Sequence, residues 1–179
     1  MQDSVVALIE ALREIAQLGA AGVIDRYAIG GAVGATRYAE AAATEDVDVF
    51  VTFAVGDRSR LDPLGAIYDF LRKRGATVDG AHVRLGGWPV QFLPAEGALL
   101  EEAIAEAQDV DVSGVRTRFF TAEHLAAIAL GLGRAKDKLR VVMLLESPSF
   151  DKRRFMEILQ RHDLSAKWQD FSRTTQGGI

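Results

Sequence analysis

Two aspartates stand two residues apart at the head of an apolar run. The stretch is TEDVDVFVTF, Thr44 to Phe53, and the pair is Asp46 and Asp48. In a strand, alternate residues share a face, so both carboxylates project the same way from positions about 6–7 Å apart. Side chains converge from that spacing on one cation or a pair of cations. Two anions so close repel, and a bound divalent cation relieves the repulsion. Mg²⁺ takes a few carboxylates, retained waters and phosphate oxygens. Such a pair at the mouth of a strand suits metal-assisted phosphoryl or nucleotidyl transfer. The competing explanation is a solvated strand end, which is the commoner origin of an isolated D-x-D.

The chain carries its own comparison. Asp-Val-Asp-Val recurs at Asp109 to Val112, followed by Ser113-Gly114, a turn signal. That copy follows a Glu- and Ala-rich helical pattern, and a solvated strand edge explains it. The first copy has a different approach. RYAIGG reads as a short strand ending in Gly30 and Gly31, and the alanine-rich AVGATRYAEAAA after it is helix-prone. Backbone N–H groups at such a turn, with the positive end of the helix, cradle phosphates. Missing Cβ atoms permit close approach. A tight strand–helix turn without a ligand is the alternative.

The elements that position these groups follow from hydrophobic period and punctuation. Residues 3–18 form an amphipathic pattern, with Val5, Leu8, Ile9, Leu12 and Ile15 on one face. Asp3 or Ser4 is expected to cap it, and Gly19 and Gly22 to end it. VDVFVTF is the clearest strand. DPLGAIYDFLRKRG reads as a helix with Asp62 as cap, Pro63 in the first turn and Gly75 as stop. ATVDGAHVRLGGWPVQFLP reads as short strands, with Gly86 and Gly87 turning a hairpin. ALLEEAIAEA is helical and VRTRFF a strand. From Thr121 onward the helical segments TAEHLAAIALGLG, AKDKLRVVMLLES, DKRRFMEILQRH and SAKWQDF follow one another, with Thr121 and Asp151 as helix starts. The tail SRTTQGGI reads as polar and frayed. The expected fold is α+β: a small mixed sheet flanked by helices over residues 1–120, then a helical part over 121–175 packed on it, in one compact unit.

With this framework, the stretch IGGAVGATRYAEAAATEDVDVFV resembles the signature of the nucleotidyltransferase superfamily: a Gly-Gly turn, a helix, then a strand bearing D-x-D. The form with Gly-Gly and Thr-x-Asp-x-Asp is most similar to the AbiEii-type, toxin-like bacterial branch. The helical segments, with their R-x-K-D stretch at Arg134–Asp137, are like the helical part of those proteins. The specific motifs lie in residues 29–51 and 124–145. The resemblance implies that Gly30, Gly31 and Thr44 hold nucleotide phosphates and that Asp46 and Asp48 bind Mg²⁺ or Mn²⁺. It implies that Arg134 and Lys136 neutralise phosphate, with Asp137 orienting them or forming a structural salt bridge. The implied chemistry is attack of an RNA or protein hydroxyl on the α-phosphate of an NTP. It also implies a cognate partner of the toxin–antitoxin kind.

One residue departs from that pattern. Superfamily members place a third carboxylate on a following strand, and the matching stretch here, WPVQFLP, offers Gln91. Gln accepts a hydrogen bond but takes no proton at neutral pH. Asp79 and His82, on the neighbouring hairpin, are the candidate substitutes. Without one, the domain binds nucleotide and does not transfer it.

Composition sets the remaining bounds. The chain has 179 residues, 49% hydrophobic and 26% charged, enough for one domain with a sizeable core. There is no cysteine, which excludes disulfides, thiolate metal sites and cysteine nucleophiles. The net charge of −4 argues against a surface coated for nucleic acid. No leader of the secretory type and no membrane-length apolar run stand out, so a cytoplasmic protein is expected. His124 reads as a packed, hydrogen-bonded side chain. His82 and His162 show no zinc spacing. Lys152 to Arg154 read as a solvated helix face. Trp168 and Phe171 read as anchors for the last helix.

Overall fold

The computed structural model describes residues 2–39, 44, 46–53, 62 and 64–176. The chain opens with helix α1 (Gln2–Ala20), followed by strand β1 (Arg26–Ile29), the short helix α2 (Gly31–Ala35) and strand β2 (Val47–Thr52). Helix α3 (Gly65–Lys73) leads into strands β3 (Thr77–Asp79), β4 (His82–Leu85) and β5 (Trp88–Pro94). Helix α4 (Ala98–Ala105) and the hairpin β6 (Gln108–Val112) and β7 (Val115–Phe119) complete the mixed part. Four helices end the chain: α5 (Ala122–Leu132), α6 (Ala135–Leu145), α7 (Lys152–Arg161) and α8 (Ser165–Gln176).

Among the described residues the strands form one sheet in the order β3-β4-β5-β2-β1-β7-β6. The sheet is mixed, as expected: β2 runs parallel to β5 and antiparallel to β1, and β1 meets β7 in parallel. Its two faces build two cores. On one face, Ala11, Leu12, Ile15 and Leu18 of α1 and Ile67 and Leu71 of α3 pack on Val47, Val49 and Val51. On the other, Ala28, Phe50 and Phe120 meet α4, α5 and the helices after it.

This division fixes the register of β2. Its three valines are fully buried, each contributing about 1.5–3 kcal/mol. A slip of one residue would drive Asp48 into the valine core, so the valines hold Asp46 and Asp48 on the opposite face.

Several expected element ends move. Helix α1 begins at Gln2, so Asp3 and Ser4 lie inside it, and Gly19 is also helical. The turn falls at Gly22, whose φ of 68° requires the left-handed conformation. Helix α8 runs to Gln176, so the stretch from Ser172 to Gln176 is helical and not frayed. Helix α2 stops at Ala35 within the helix-prone segment, and residues 40–43 lie outside the described residues, as does Pro63. Asp62 still serves α3, its Oδ1 accepting from the Gly65 N–H at 2.9 Å. Thr121 and Asp151 cap α5 and α7, accepting from the N–H groups of His124 and Arg154.

Candidate active site

The site forms where β2 emerges between the sheet and the terminal helices. Gly30 closes β1 by donating its N–H to the Asp48 carbonyl at 3.0 Å. It lies so close to the aromatic floor that a Cβ there would sit 2.6 Å from Phe50 Cε2 and 2.9 Å from Phe120 Cδ2. Gly31 has a φ of 58°, and its missing side chain is replaced by the Asp48 carboxylate. A Cβ on Gly31 would overlap that carboxylate, with Cγ 2.7 Å away. The glycine pair therefore has a concrete duty. It opens the backbone so that Asp48 lies over the start of α2.

Asp46 is held from the opposite side. Thr44 donates its hydroxyl to the Asp46 carbonyl at 3.0 Å, with the Asp46 carboxylate Oδ1 at 3.4 Å. Thr44 thus buttresses the carboxylate strand. Burial and, after it, the negative charge of Asp46 raise the Asp48 pKa; Arg140, Lys136 and Arg134 oppose that rise. A divalent cation between the carboxylates would remove the repulsive part.

The cationic side comes from the first two turns of α6. Arg134 grips the buried Asp137 through Nε at 2.5 Å and Nη2 at 3.3 Å, and Arg140 reaches the same carboxylate at 3.5 Å. Asp137 has no exposed surface, whereas the Arg134 side chain is about half exposed. Asp137 forms a salt bridge with Arg134 and with Arg140; Arg140, not Lys136, is the second cation on its carboxylate. Lys136 and Arg140 are four residues apart, on one side of the helix. Arg140 lines the same cavity as Lys136, although the sequence does not single it out.

Gly31, Thr44, Asp46, Asp48, Gln91, Arg134, Lys136 and Arg140 line one cavity of about 1020 Å³, whereas Gly30 and Asp137 are not among its lining residues. That volume is at the upper end of ligand pockets, about 300–1,000 Å³. Away from the carboxylates its walls combine apolar Leu93, Leu100, Ile128, Leu139 and Met143 with Glu96, Arg161, His162 and Asp163.

The strand register places Gln91. Asp48 and Gln91 are directly paired in the parallel ladder of β2 and β5, and Gln91 is paired with His82 across β4. His82 pairs in turn with Asp79 on the outermost strand. One face therefore carries the row Asp79, His82, Gln91 and Asp48. Asp79 is three strands from Asp48, at about 4.8 Å per strand, and is too remote to complete the site. His82 is not remote: its Nε2 lies 3.6 Å from Asp46 Oδ2.

The second Asp-Val-Asp-Val has the expected surroundings. Asp109 and Asp111 are exposed on the edge strand β6, which pairs with β7. Asp111 Oδ1 accepts from the Gly114 N–H at 2.8 Å in the turn, and Asp109 lies 3.6 Å from Arg118.

A second carboxylate–imidazole group sits apart from this row. Ligand atoms of Glu102, Glu106 and His124 come within 4.8 Å of one another. Cationic and imidazole donors already fill those carboxylates. Glu102 receives Arg161 at 2.6 Å, His162 at 2.8 Å and His124 at 3.2 Å, and Glu106 receives Arg154 at 2.6 Å. His124 is fully buried, with Nδ1 2.9 Å from Thr121 Oγ1. Sequence spacing hid this cluster because its members come from two helices, α4 and α5.

No family model matches the chain, and no curated protein matches it. Solved structures do. The solution structure of the antibiotic-resistance factor ANT(2'')-Ia is 13% identical, covers 97% of each chain and superposes with a TM-score of 0.52. The crystal structure of ANT(2'')-Ia in complex with adenylyl-2''-tobramycin is 15% identical over 91% of this chain and 98% of that one, with a TM-score of 0.52. An antigenic nucleotidyltransferase-like protein from Paracoccidioides brasiliensis is 15% identical over 93% of this chain and 91% of that one, with a TM-score of 0.51. The fold is thus that of the nucleotidyltransferases, over nearly the whole chain. The finer likeness to the AbiEii-type branch does not emerge from these matches.

Proposed function

We propose that the protein is a divalent-metal-dependent nucleotidyltransferase that moves a nucleoside monophosphate from an NTP to an acceptor hydroxyl. The observation that carries this reading is the Asp48 carboxylate seated over Gly31, facing the cations of α6 across one cavity. The donor set fits the metal: two carboxylates share a face, and one lies against backbone cleared of a side chain. Asp46 and Asp48 would hold Mg²⁺ or Mn²⁺, which when bound polarises phosphate oxygens and neutralises the leaving group.

The chain's own residues supply binding and orientation. Gly31 admits the Asp48 carboxylate close to backbone, with Thr44 stiffening the approach. Arg134, Lys136 and Arg140 face the triphosphate, with the two arginines aimed by Asp137. The acceptor oxygen bonds to the α-phosphorus, the bond to the bridging oxygen breaks, pyrophosphate leaves and the hydroxyl proton passes to solvent. Residues 1–120 form the catalytic core in this reading, and residues 121–175 form the wall that carries the phosphate-binding cations.

RNA or a protein is the acceptor we favour, with a toxin-like role in the cytoplasm and a cognate antitoxin-type partner. Among the described residues no helix is long and apolar enough to cross a membrane.

Incubation with α-labelled NTPs, Mg²⁺ or Mn²⁺, and total RNA, protein extract or tobramycin tests the reading. Label transfer that falls about 10³-fold or more in Asp46→Asn and Asp48→Asn is the expected outcome. A second reading, a catalytically silent nucleotide-binding or protein-interaction module, is favoured by Gln91 beside Asp48. Nucleotide binding without transfer to any acceptor would select it.

A further inference from the structure

We propose that the acceptor is the phenolic hydroxyl of a protein tyrosine, whose ring lies against the aliphatic wall of the cavity. The inference rests on the transferase reading above and chooses between its two acceptors. Metal and triphosphate account for the polar end of the cavity, at Asp46, Asp48 and the cations of α6. The remaining volume has another character. Leu93 of β5, Leu100 of α4, Ile128 of α5 and Met143 of α6 line it. So do Leu132 and Leu139, which are 55% and 60% exposed. Those two contribute little to the core. Large aliphatic side chains left in water on the wall of a cavity mark a surface for an apolar ligand.

Hydroxyl acceptors differ in what they bring to such a wall. A ribose or a serine offers almost no apolar area beside its hydroxyl, whereas tyrosine carries an apolar ring with a polar tip. Single-stranded RNA is held by aromatic faces for its bases and by cations for its phosphates. Of the phenylalanines in the lining, Phe120 has no exposed surface and packs on Phe50 with ring centroids 5.0 Å apart. Charge points the same way. Beyond α6 the lining carries Glu96 and Asp163, and its Arg161 already holds Glu102 at 2.6 Å. A chain of phosphates gains little there.

Gln91 supplies a separate argument. The register slot beside Asp48 holds an amide, which takes no proton from an acceptor. A phenol ionises at a pH of about 10, well below an alkyl hydroxyl, so it needs less help from a base. The phenol oxygen bonds to the α-phosphorus, the bond to the bridging oxygen breaks, pyrophosphate leaves and the phenolic proton passes to solvent.

The test gives the full chain α-labelled NTPs and Mn²⁺ with a short tyrosine peptide, its serine and phenylalanine counterparts, an RNA oligonucleotide and tobramycin. The tyrosine peptide should be labelled about 100-fold faster than the serine peptide or the RNA, and the phenylalanine peptide not at all. Leu132→Gln and Leu139→Gln fall at exposed positions that the fold tolerates. Each should raise the KM for the tyrosine peptide about tenfold, with nucleotide affinity by calorimetric titration close to wild type. Label on the serine peptide, the RNA or tobramycin at the rate of the tyrosine peptide or above would overturn the inference and leave the transferase reading standing. A tyrosine-peptide KM that neither variant moves would do the same. No label on any acceptor would overturn both.

Discussion

Gly31 and Asp48 compete for a single volume, and the carboxylate occupies it. Gly31→Ala introduces two faults: a left-handed backbone costing about 1–2 kcal/mol, and a Cβ that displaces the carboxylate. Gly22→Ala is the matched control, because Gly22 has a φ of 68° with nothing within 4 Å of the built Cβ. Both variants should melt a few degrees lower. Only Gly31→Ala should bring label transfer and Mn²⁺ affinity down to the level of Asp48→Asn, as measured by calorimetric titration and the transfer assay. At this scale the sequence was informative where the chemistry is local. A D-x-D pair and a Gly-Gly turn lie within twenty residues and can be recognised by spacing. Arg140 and the Glu102–His124 contact were not legible, because helices bring those partners together across 92 and 22 residues of chain, counted from Asp48 to Arg140 and from Glu102 to His124.

Helices α4, α5 and α7 meet at Glu102, which binds His124 of α5, Arg161 at the end of α7 and the adjacent His162. Arg161, His162 and the α4 residues Leu99 and Leu100 also line the cavity, so this clamp adjoins the candidate site. The Arg161 hydrogen bond, aided by the two imidazoles, lowers the Glu102 pKa to about 2. A carboxylate held below its unfolded pKa stabilises the fold above the unfolded value and loses that contribution as pH falls through the folded one. Stability should therefore fall with acid between about pH 4.5 and pH 2. Glu102→Gln should flatten that slope and cost about 2 kcal/mol near neutral pH, as read from urea melts at several pH values. The helices themselves were visible as periodic patterns with Thr121 and Asp151 caps. Their ends were less so. Helix α8 runs on because Trp168, stacked on Phe171 and edge-on to Phe155, ties it to α7, a contact that residue propensity does not encode.

Among the described residues one sheet lies between two cores, and the candidate site draws on both the sheet and the helical wall. A nucleotide bridging Asp48 to α6 would join them, so ligand binding should stabilise the native state as a unit. At NTP and Mn²⁺ concentrations about a hundredfold above their dissociation constants, the gain is about 2.7 kcal/mol, or a rise of about 5–10 °C. Chelation of the metal with EDTA should reverse it in a thermal melt, and Asp46→Asn should show no rise. The mixed α+β character was legible because strand-like and helix-like periods alternate before Thr121 and only helical ones follow. The strand order was not. Pairing β2 with β5 joins residues more than forty apart, and no local signal specifies it. That same β2 has a further implication. Val47, Val49 and Val51 face a core, while Asp46, Asp48 and Phe50 face the cavity side. Under selection, odd positions answer to protein abundance and the two aspartates to turnover. A lineage that abandoned the chemistry would keep its valines and let the aspartates drift, leaving a period-two record of the loss in a single strand.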